Sequence, residues 1–190
     1  MGVNWRSRRE PDARWDPAFE RFVTRFSATL LRNAYLLAGD RGVAEDLVQQ
    51  TLLRVAGRWD AARRAPEAYA RQVLVNLCRD RYRRQARQAS STVEGAGAGS
   101  EDEARDHADA VADRDEVIAA LSRLSLEHRE VLVLRFFADL SVAEVAAVID
   151  EPEGTVKSRT SRALARMREL LGEPRRDEHE RAQIEIGNDD

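Results

Sequence analysis

The chain has few cysteine, proline, glycine and aromatic residues and no long apolar run, which excludes several classes of protein. A single cysteine among 190 residues excludes a fold held together by intrachain disulfide bonds. Five prolines, ten glycines and an aromatic content of 6% indicate small helical cores. No apolar run approaches the roughly 18–20 residues of a membrane span, and the first residues lack a signal-peptide core. We therefore expect a helical protein of the cytoplasm.

Patterns that carry catalysis or metal binding are also missing. The three histidines are scattered, and no cysteine–histidine cluster has the spacing of metal ligands. The Gly/Ala run at 95–99 lacks the Lys-Ser/Thr ending of a phosphate-binding P-loop and follows no predicted strand. We therefore expect a protein that is not an enzyme and that holds no cofactor or metal.

The charge that is present is strongly segregated. The net charge is only −3, yet residues 54–87 and 153–168 are rich in basic side chains. Residues 88–116 and the tail 173–190 are mainly acidic. Two basic blocks with acidic connectors indicate two modules that bind a polyanion.

Apolar residues recur at helical spacing, and no strand pattern or internal repeat occurs. The sequence predicts an all-α protein with two small helical domains joined by a flexible linker. The expected parts are an amino-terminal extension 1–16, a first domain 17–86, an acidic linker 87–112, a second domain 113–171 and a charged tail 172–190. Because the linker has no apolar face to bury, we expect the two domains to fold separately.

Within the first domain the periodicity predicts three helices. They cover 17–38, 43–58 and 67–86, and residues 60–66 should form a loop. In the second domain, Ser125 is a candidate cap for a helix that carries Val131 and Leu134.

The end of the second domain has the pattern of a helix-turn-helix. Ser141 and Glu144 form a capping-box pair that should open its first helix. Residues 150–154, Asp-Glu-Pro-Glu-Gly, break the helical pattern, and Thr155 can cap the second helix. Asp150 tolerates the left-handed conformation better than most non-Gly residues, so it can form part of this turn. A second helix that is cationic near its start is the geometry that enters a DNA major groove.

Several stretches, taken in order, resemble the sigma-70 family of RNA polymerase sigma factors. Residues 44–54, Ala-Glu-Asp-Leu-Val-Gln-Gln-Thr-Leu-Leu-Arg, are similar to region 2.2, and residues 69–84 to regions 2.3–2.4. Residues 121–135 and the run Gly-Thr-Val-Lys-Ser-Arg at 154–159 resemble region 4. No segment resembling regions 1.1 or 3 occurs, so the resemblance is to the extracytoplasmic-function (group 4) type. The run at 35–40 is similar to the actinobacterial sigma-E-like subgroup.

The resemblance implies an alternative sigma factor that binds core RNA polymerase and promoter DNA. The expected contacts are the clamp helices of the largest subunit and the flap of the second-largest subunit. The polymerase would do the chemistry, and the factor would recognise the minus-35 and minus-ten elements and help to melt the promoter. The short tail leaves room for regulation by a separate anti-sigma factor, and no membrane partner is expected.

The resemblance also assigns candidate residues to each contact. Those expected to bind core polymerase are Glu45, Asp46, Gln49 and Gln50. Those expected at the minus-ten element are Arg63, Arg64, Arg71, Asn76, Arg79, Arg83 and Arg84. Those expected at the minus-35 element, on the helix after the turn, are Thr155, Lys157, Ser158, Arg159, Ser161, Arg162 and Arg166. Among the last group, Arg159 and Arg162 are the best candidates for base recognition, since Arg pairs bidentately with guanine.

Two alternatives remain open from the sequence. A free-standing helix-turn-helix regulator would bind duplex DNA without polymerase, but it leaves the first domain unexplained. A helical interaction protein that sequesters a partner leaves the two basic faces unexplained. Copurification with core polymerase separates the sigma factor from the first alternative, and promoter-dependent transcription separates it from the second.

Overall fold

All regular structure in the described part of the chain is helical. The computed structural model describes residues 16–91 and 110–172, with side chains for 16–88 and 115–172. The all-α prediction is confirmed, and the predicted tail, most of the extension and most of the linker lie outside the described residues. The helices are α1 Pro17–Ala38, α2 Arg41–Gly57, α3 Trp59–Ala62, α4 Pro66–Ser91, α5 Ala110–Ser122, α6 Leu126–Leu132, α7 Val142–Ile149 and α8 Glu153–Leu171. A π-helical segment, Val133–Phe137, follows α6.

The first module, residues 16–91, is built around α1. The Asp16 side chain accepts a hydrogen bond of 2.7 Å from the Ala18 backbone N–H, and Pro17 occupies the first helical position. Gly39 ends the helix with a φ of 74°, in the left-handed region. One stripe of α1 is buried against α2 and α4: Phe19, Phe22, Phe26, Leu30, Ala34 and Leu37. The helix predicted over 17–38 therefore has the predicted bounds.

The segment between α2 and α4 differs from its prediction as a loop. Residues 60–62 belong to the short helix α3, so the loop is confined to the residues just before α4. The Trp59 ring packs edge-on against Phe19, with centroids 5.2 Å apart, and its Nε1 donates to Asp16 Oδ2 at 2.8 Å. These contacts hold the start of α3 against the core. Helix α4 is also longer than predicted, because the helix-favouring residues after 86 extend it to Ser91.

The second module, residues 110–172, contains the predicted helix-turn-helix. Ser125 caps α6 as expected, accepting a hydrogen bond from the His128 N–H. Ser141 and Glu144 form the predicted capping box, with N···O distances of 2.8 and 3.2 Å. The hydrogen bonds from Ser141 lower the pKa of the Glu144 carboxyl.

The turn between α7 and α8 differs from the prediction at its end. Asp150 takes the left-handed conformation, with a φ of 56°. Because Asp150 reverses the chain, Gly154 is not needed for the turn and lies in the first turn of α8. Pro152, not Thr155, is the N-cap, and the Thr155 N–H donates to the Pro152 carbonyl at 2.9 Å. The prediction of Thr155 as a cap is therefore wrong.

The two modules pack against each other. Helix α4 contacts α7, and α1 contacts α5 and the π-helical segment. Buried residues from both modules form one continuous hydrophobic cluster. That each module folds separately stays a prediction, but in this structure they share an interface.

Candidate polymerase and nucleic-acid interfaces

The predicted polymerase-binding residues share one exposed face of α2. Glu45, Asp46, Gln49 and Gln50 are all exposed. The opposite face of the helix is buried through Ala44, Leu47, Val48, Thr51 and Val55. The four polar residues are therefore placed for contact with another molecule, and substituting them does not disturb a core position.

The structure adds Leu53 to this face. Its side chain is 66% exposed, which is unusual for a large apolar residue. Leu53 lies four residues after Gln49 and seven after Asp46, so the three share one side of the helix. Helical spacing alone places Leu53 on this face, but an apolar side chain does not by itself signal a contact surface.

The predicted minus-ten residues fall into two groups. Five are exposed: Arg63, Arg64, Asn76, Arg83 and Arg84. Arg83 Nη2 donates to Asp80 Oδ1 at 2.6 Å, and Arg84 Nε donates to the Asp80 carbonyl at 3.2 Å. These are local contacts along α4 and leave the guanidinium groups accessible.

Arg71 belongs to the second group, because it turns toward the core. Its side chain is only 13% exposed, and its guanidinium carbon lies 4.9 Å from the centroid of the Phe26 ring. It also lies 3.7 Å from the Glu67 carboxylate. Burial lowers the pKa of this arginine. Arg71 therefore stabilises the packing of α1 on α4 and presents little surface to a nucleic acid.

Arg79 is engaged by the second module. Its Nε donates to both carboxylate oxygens of Glu130, at 3.0 and 3.1 Å, and its Nη2 donates to Oε2 at 2.7 Å. Its Nη1 donates to the Ile149 carbonyl, at the end of α7, at 3.1 Å. Glu130 is fully buried, and burial raises the pKa of its carboxyl, which the hydrogen bonds from Arg79 oppose. The same hydrogen bonds raise the pKa of Arg79.

At the start of α8 the accessible cations and hydroxyls lie on one side. Lys157, Ser161, Arg162 and Arg166 are exposed, whereas Thr155 and Ser158 are half-buried. Arg162 Nη2 donates to Ser158 Oγ at 3.2 Å, and Arg166 pairs with Glu169 at 2.6 Å. Val156 and Ala163 on the opposite side are fully buried. The basic face is thus held toward the outside by the apolar face of the same helix.

Arg159 is held inside its own module. Its side chain is 17% exposed, and its Nη2 lies 3.2 Å from Glu151 and 3.4 Å from Glu127. These contacts tie α8 to α6 and to the turn before it. Arg162 rather than Arg159 is therefore the accessible arginine nearest the start of the helix.

The second module also carries an apolar groove of about 400 Å³. Helices α5, α6 and α8 and the π-helical segment line it, with Leu121, Leu132, Phe136, Leu164 and Met167 among the contributing residues. Phe136 is 54% exposed at this surface. The groove is not predicted by the sequence, because the apolar residues on both sides of Arg135 in Val133–Phe137 do not indicate which side faces solvent.

The contacts of Arg129 and Glu130 are not predicted by the sequence. Arg129 donates to carbonyls of Leu121, Ser122, Leu124 and, across the interface, Leu37. Burial lowers the pKa of Arg129. Both residues lie in a polar stretch of α6, and nothing in their sequence context signals that Glu130 would be buried or Arg129 half-buried.

Other chemical features are sparse in the described part of the chain. Burial raises the pKa of the Cys78 thiol to about 12. Residues 16–91 and 110–172 include no cluster of His, Cys, Asp and Glu that could hold a metal ion. None of the helices in these two segments is long and apolar enough to cross a membrane.

The two modules coincide with two family models. Residues 22–88 match sigma-70 region 2, and residues 120–169 match sigma-70 region 4. The helix-turn-helix lies in the second match, and the basic helix α4 in the first. An all-α pair of modules with these matches defines the class of RNA polymerase sigma factors.

Individual relatives narrow the class. The chain is 37% identical over 155 residues to the RNA polymerase sigma-E factor of Streptomyces avermitilis, covering 80% of this chain and 84% of that protein. It is 37% identical over 154 residues to the ECF RNA polymerase sigma factor SigL of Mycobacterium tuberculosis, covering 77% and 85%. A similar solved structure is the sigma factor RpoE from Bartonella quintana in complex with the anti-sigma factor NepR. It has a TM-score of 0.69 and 27% sequence identity, and the match covers 80% of this chain and 96% of that one. The chain belongs to the sigma-70 family, in its extracytoplasmic-function group, and acts as an alternative sigma factor in transcription initiation.

Proposed function

We propose that this sigma factor binds core RNA polymerase through the exposed face of α2 formed by Asp46, Gln49, Gln50 and Leu53, with Glu45 at its edge. The observation that carries the proposal is this exposed face itself, in which a large apolar side chain lies beside polar ones. Apolar residues among polar groups are typical of a surface that another protein covers. The clamp helices of the largest polymerase subunit are the proposed partner.

The apolar groove of the second module is the proposed second contact with the polymerase. Its exposed Phe136 and its lining by three helices suit an apolar helix or turn from the flap of the second-largest subunit. Two contacts on two modules would hold both modules at defined places on the enzyme. The polymerase supplies the catalysis, and this chain, acting in the cytoplasm, is not itself an enzyme.

For promoter DNA, we propose that the start of α8 enters the major groove at the minus-35 element. Lys157, Ser161 and Arg162 are accessible there, with Thr155, Ser158 and Arg166 beside them. An arginine near the start of a recognition helix can pair bidentately with guanine, so Arg162 is the first candidate for base recognition. Arg159 would act indirectly, by holding the helix through its ion pairs with Glu127 and Glu151.

The minus-ten element is proposed to lie along α3 and α4. Arg63, Arg64, Arg83 and Arg84 would neutralise phosphates, which sets affinity and orientation. Asn76 is exposed on the same helix, and its amide can donate to and accept from a base edge. Arg79 can join them only when its contact with Glu130 is broken, and Arg71 would support the fold.

An anti-sigma protein is a further proposed partner. The Bartonella quintana relative was solved with the anti-sigma factor NepR, and a second sigma factor, CnrH, with the cytosolic domain of CnrY. The CnrH structure has a TM-score of 0.59 and 25% identity to this chain. These relatives support a similar mode of regulation.

The polymerase contact is tested by Asp46→Arg. The substitution reverses a charge on an exposed face, so we expect loss of core binding with unchanged helicity by circular dichroism. Asp115→Arg makes the same charge change at an exposed position of α5. It is the matched control and should keep core affinity. Copurification with core polymerase measures core binding, and run-off transcription measures promoter-dependent initiation. Normal core affinity of Asp46→Arg would move the interface away from α2.

A further inference from the structure

The Asp16 carboxylate joins two parts of the first module that are far apart in the sequence. One oxygen, Oδ1, accepts a hydrogen bond of 2.7 Å from the Ala18 N–H and so caps α1. The other, Oδ2, accepts a hydrogen bond of 2.8 Å from Nε1 of Trp59, the first residue of α3. Because the two hydrogen bonds use different oxygens, Asp16 can hold the start of α1 and the start of α3 together.

The electrostatic surroundings of Asp16 favour the form that makes both contacts. Hydrogen bonds from the Ala18 N–H and the Trp59 indole lower the pKa of the Asp16 carboxyl, and the positive charges of Arg63 and Arg21 lower it further. An ionised carboxylate offers two acceptor oxygens, which is what two N–H donors need. Asp16 is exposed, so the contact with Trp59 lies at the edge of the module and outside its core.

Helix α3 depends on such outside contacts for its position. It is only four residues long, and the residue before it supplies no side-chain cap. A single turn is too short to be stable by itself. The Trp59 ring packs against Phe19 and Phe22, with centroids 5.2 and 5.8 Å away. The hydrogen bond to Asp16 fixes the direction of the indole on these rings, because hydrogen bonds are directional.

The position of Trp59 also determines where the arginines after it lie. The Arg63 N–H donates to the Trp59 carbonyl at 2.8 Å, so Arg63 lies one helical turn after Trp59. Arg64 follows, and the next N–H, of Ala65, donates to the Ala62 carbonyl at 3.0 Å. Arg63 and Arg64 are both exposed. A shift of Trp59 therefore moves the backbone that carries both arginines.

We propose that Asp16 is a positioning residue for the minus-ten contact, because it holds the Trp59 indole and thereby fixes α3 and the two arginines after it. The inference rests on the proposed function, since it takes Arg63 and Arg64 as minus-ten contacts. Asp16 acts through Trp59 and does not touch DNA. When the hydrogen bond is lost, apparent affinity falls in proportion to the fraction of molecules that keep α3 in place.

Asp16→Ser separates the two hydrogen bonds of Asp16. Serine is as good an N-cap as aspartate, so the start of α1 is kept. Its hydroxyl lies closer to the backbone than the carboxylate oxygens do, so it does not reach Trp59. Asp40→Ser is the matched control, because Asp40 caps α2 in the same way, through the Val43 N–H. The control removes the same charge and also keeps a cap.

Trp59→Phe removes the donor from the other side of the contact. It keeps an aromatic ring against Phe19 and changes no charge. If Asp16 acts through Trp59, Asp16→Ser should have no further effect in the Trp59→Phe background. This double-mutant cycle also separates positioning from a general effect of charge, since Trp59→Phe leaves the Asp16 carboxylate in place.

The hydrogen bond itself can be followed by NMR in the full chain without DNA. The chain has three tryptophans, and Trp59→Phe identifies the indole signal of Trp59. A hydrogen-bonded N–H exchanges with water only when the bond opens. We therefore expect the Trp59 indole N–H to exchange faster in Asp16→Ser than in wild-type or Asp40→Ser protein.

The effect on DNA is measured with holoenzyme and two labelled probes. One is a single strand with the minus-ten element of a promoter that wild-type holoenzyme transcribes, and the other is a duplex with its minus-35 element alone. We expect Asp16→Ser and Trp59→Phe to bind the single strand about threefold more weakly than Asp40→Ser, if one molecule in three keeps α3 in place. Affinity for the minus-35 duplex and for core polymerase should equal that of the control.

Faster exchange in Asp16→Ser with a minus-ten affinity equal to that of Asp40→Ser overturns the positioning role. Equal exchange in these two variants, or a further loss of affinity in the Trp59→Phe background, also overturns it. An equal loss at both probes does the same, because it indicates a general defect of the fold. If wild-type holoenzyme does not prefer the minus-ten strand to a scrambled strand, the proposed minus-ten contact is wrong, and this inference fails with it.

Discussion

Helices α4 and α8 are both basic, and each has a largely buried arginine that pairs with carboxylates outside its own helix. In α4 this residue is Arg79, whose partner Glu130 belongs to the other module. In α8 it is Arg159, whose partners Glu127 and Glu151 belong to its own module. Arg79 is therefore released when the modules separate, whereas Arg159 stays engaged in either arrangement.

The difference shows that a basic residue on a proposed DNA-binding helix can have a structural role, within its own module or between the two modules. Arg159 holds α8 against α6 and the turn, and its neighbours Lys157 and Arg162 are exposed. Arg79 instead joins α4 to the second module through Glu130 and the Ile149 carbonyl. Charge alone does not distinguish them, because their partners lie in different parts of the chain.

The largest expected effect comes from removing the cross-module pair. Arg79→Ala leaves Glu130 buried without its cation, and loss of one partner of a buried pair costs about 3–5 kcal/mol. We expect this to appear as module separation and a lower or split thermal unfolding transition. Arg83→Ala, which breaks an exposed pair with Asp80, should change stability by less than about 1 kcal/mol. An equal loss of stability in Arg79→Ala and Arg83→Ala would contradict the difference between the buried and the exposed ion pair.

The second prediction separates the two arginines of α8. Arg162→Ala should cost about 1–3 kcal/mol of discrimination at one base pair of the minus-35 element, because an exposed bidentate donor is lost. Arg159→Ala should lower the unfolding temperature and weaken binding to all sequences alike. Holoenzyme binding to a set of minus-35 variants, with a thermal melt of each protein, measures both. A changed base preference in Arg159→Ala with an unchanged melt would reverse the two roles.

A smaller effect is expected from an exposed phosphate contact on α4. Arg84→Ala should weaken binding to all minus-ten sequences and reduce the slope of log affinity against log salt by about one unit, if it loses one phosphate contact. The test is a salt titration of holoenzyme binding, and an unchanged slope in Arg84→Ala would contradict a phosphate contact by this residue.

The smallest effects are expected from substituting two glycines. Gly154 lies in α8, and a Cβ at this position would meet open space. Gly154→Ala should therefore stabilise the chain by about 0.5–1 kcal/mol. Gly39 has a φ of 74°, so Gly39→Ala should destabilise it. Thermal unfolding of the two variants measures the contrast. A loss of stability in Gly154→Ala would mean that this position is not helical.

Local signals account for most of the fold that could be predicted. The phenylalanine stripe of α1 and the Ser141–Glu144 capping box act over a few residues, so the sequence alone locates them. The end of the turn between α7 and α8 is harder to predict. Asp150 and Gly154 can both adopt the left-handed conformation, and only the structure distinguishes Asp150 as the residue that does so.

Only the exposed helix faces of the candidate site can be predicted from the sequence. The exposed face of α2 follows from helical spacing, and so does the accessible side of α8. The pairing of Arg79 with Glu130 joins residues 51 positions apart, and no local pattern indicates which of several arginines on α4 meets a buried carboxylate. Arg71 packs over Phe26, and no local pattern distinguishes it from the exposed arginines of α4.

The central claim is that two DNA-binding modules of one sigma factor select promoters together with core polymerase. Run-off transcription from a randomised promoter library tests it most directly. We expect transcribed templates to share two elements at a fixed spacing, with the upstream element altered by Arg162→Ala and all transcription lost in Asp46→Arg. Transcripts without a common sequence, or an undiminished yield from Asp46→Arg, would contradict the claim.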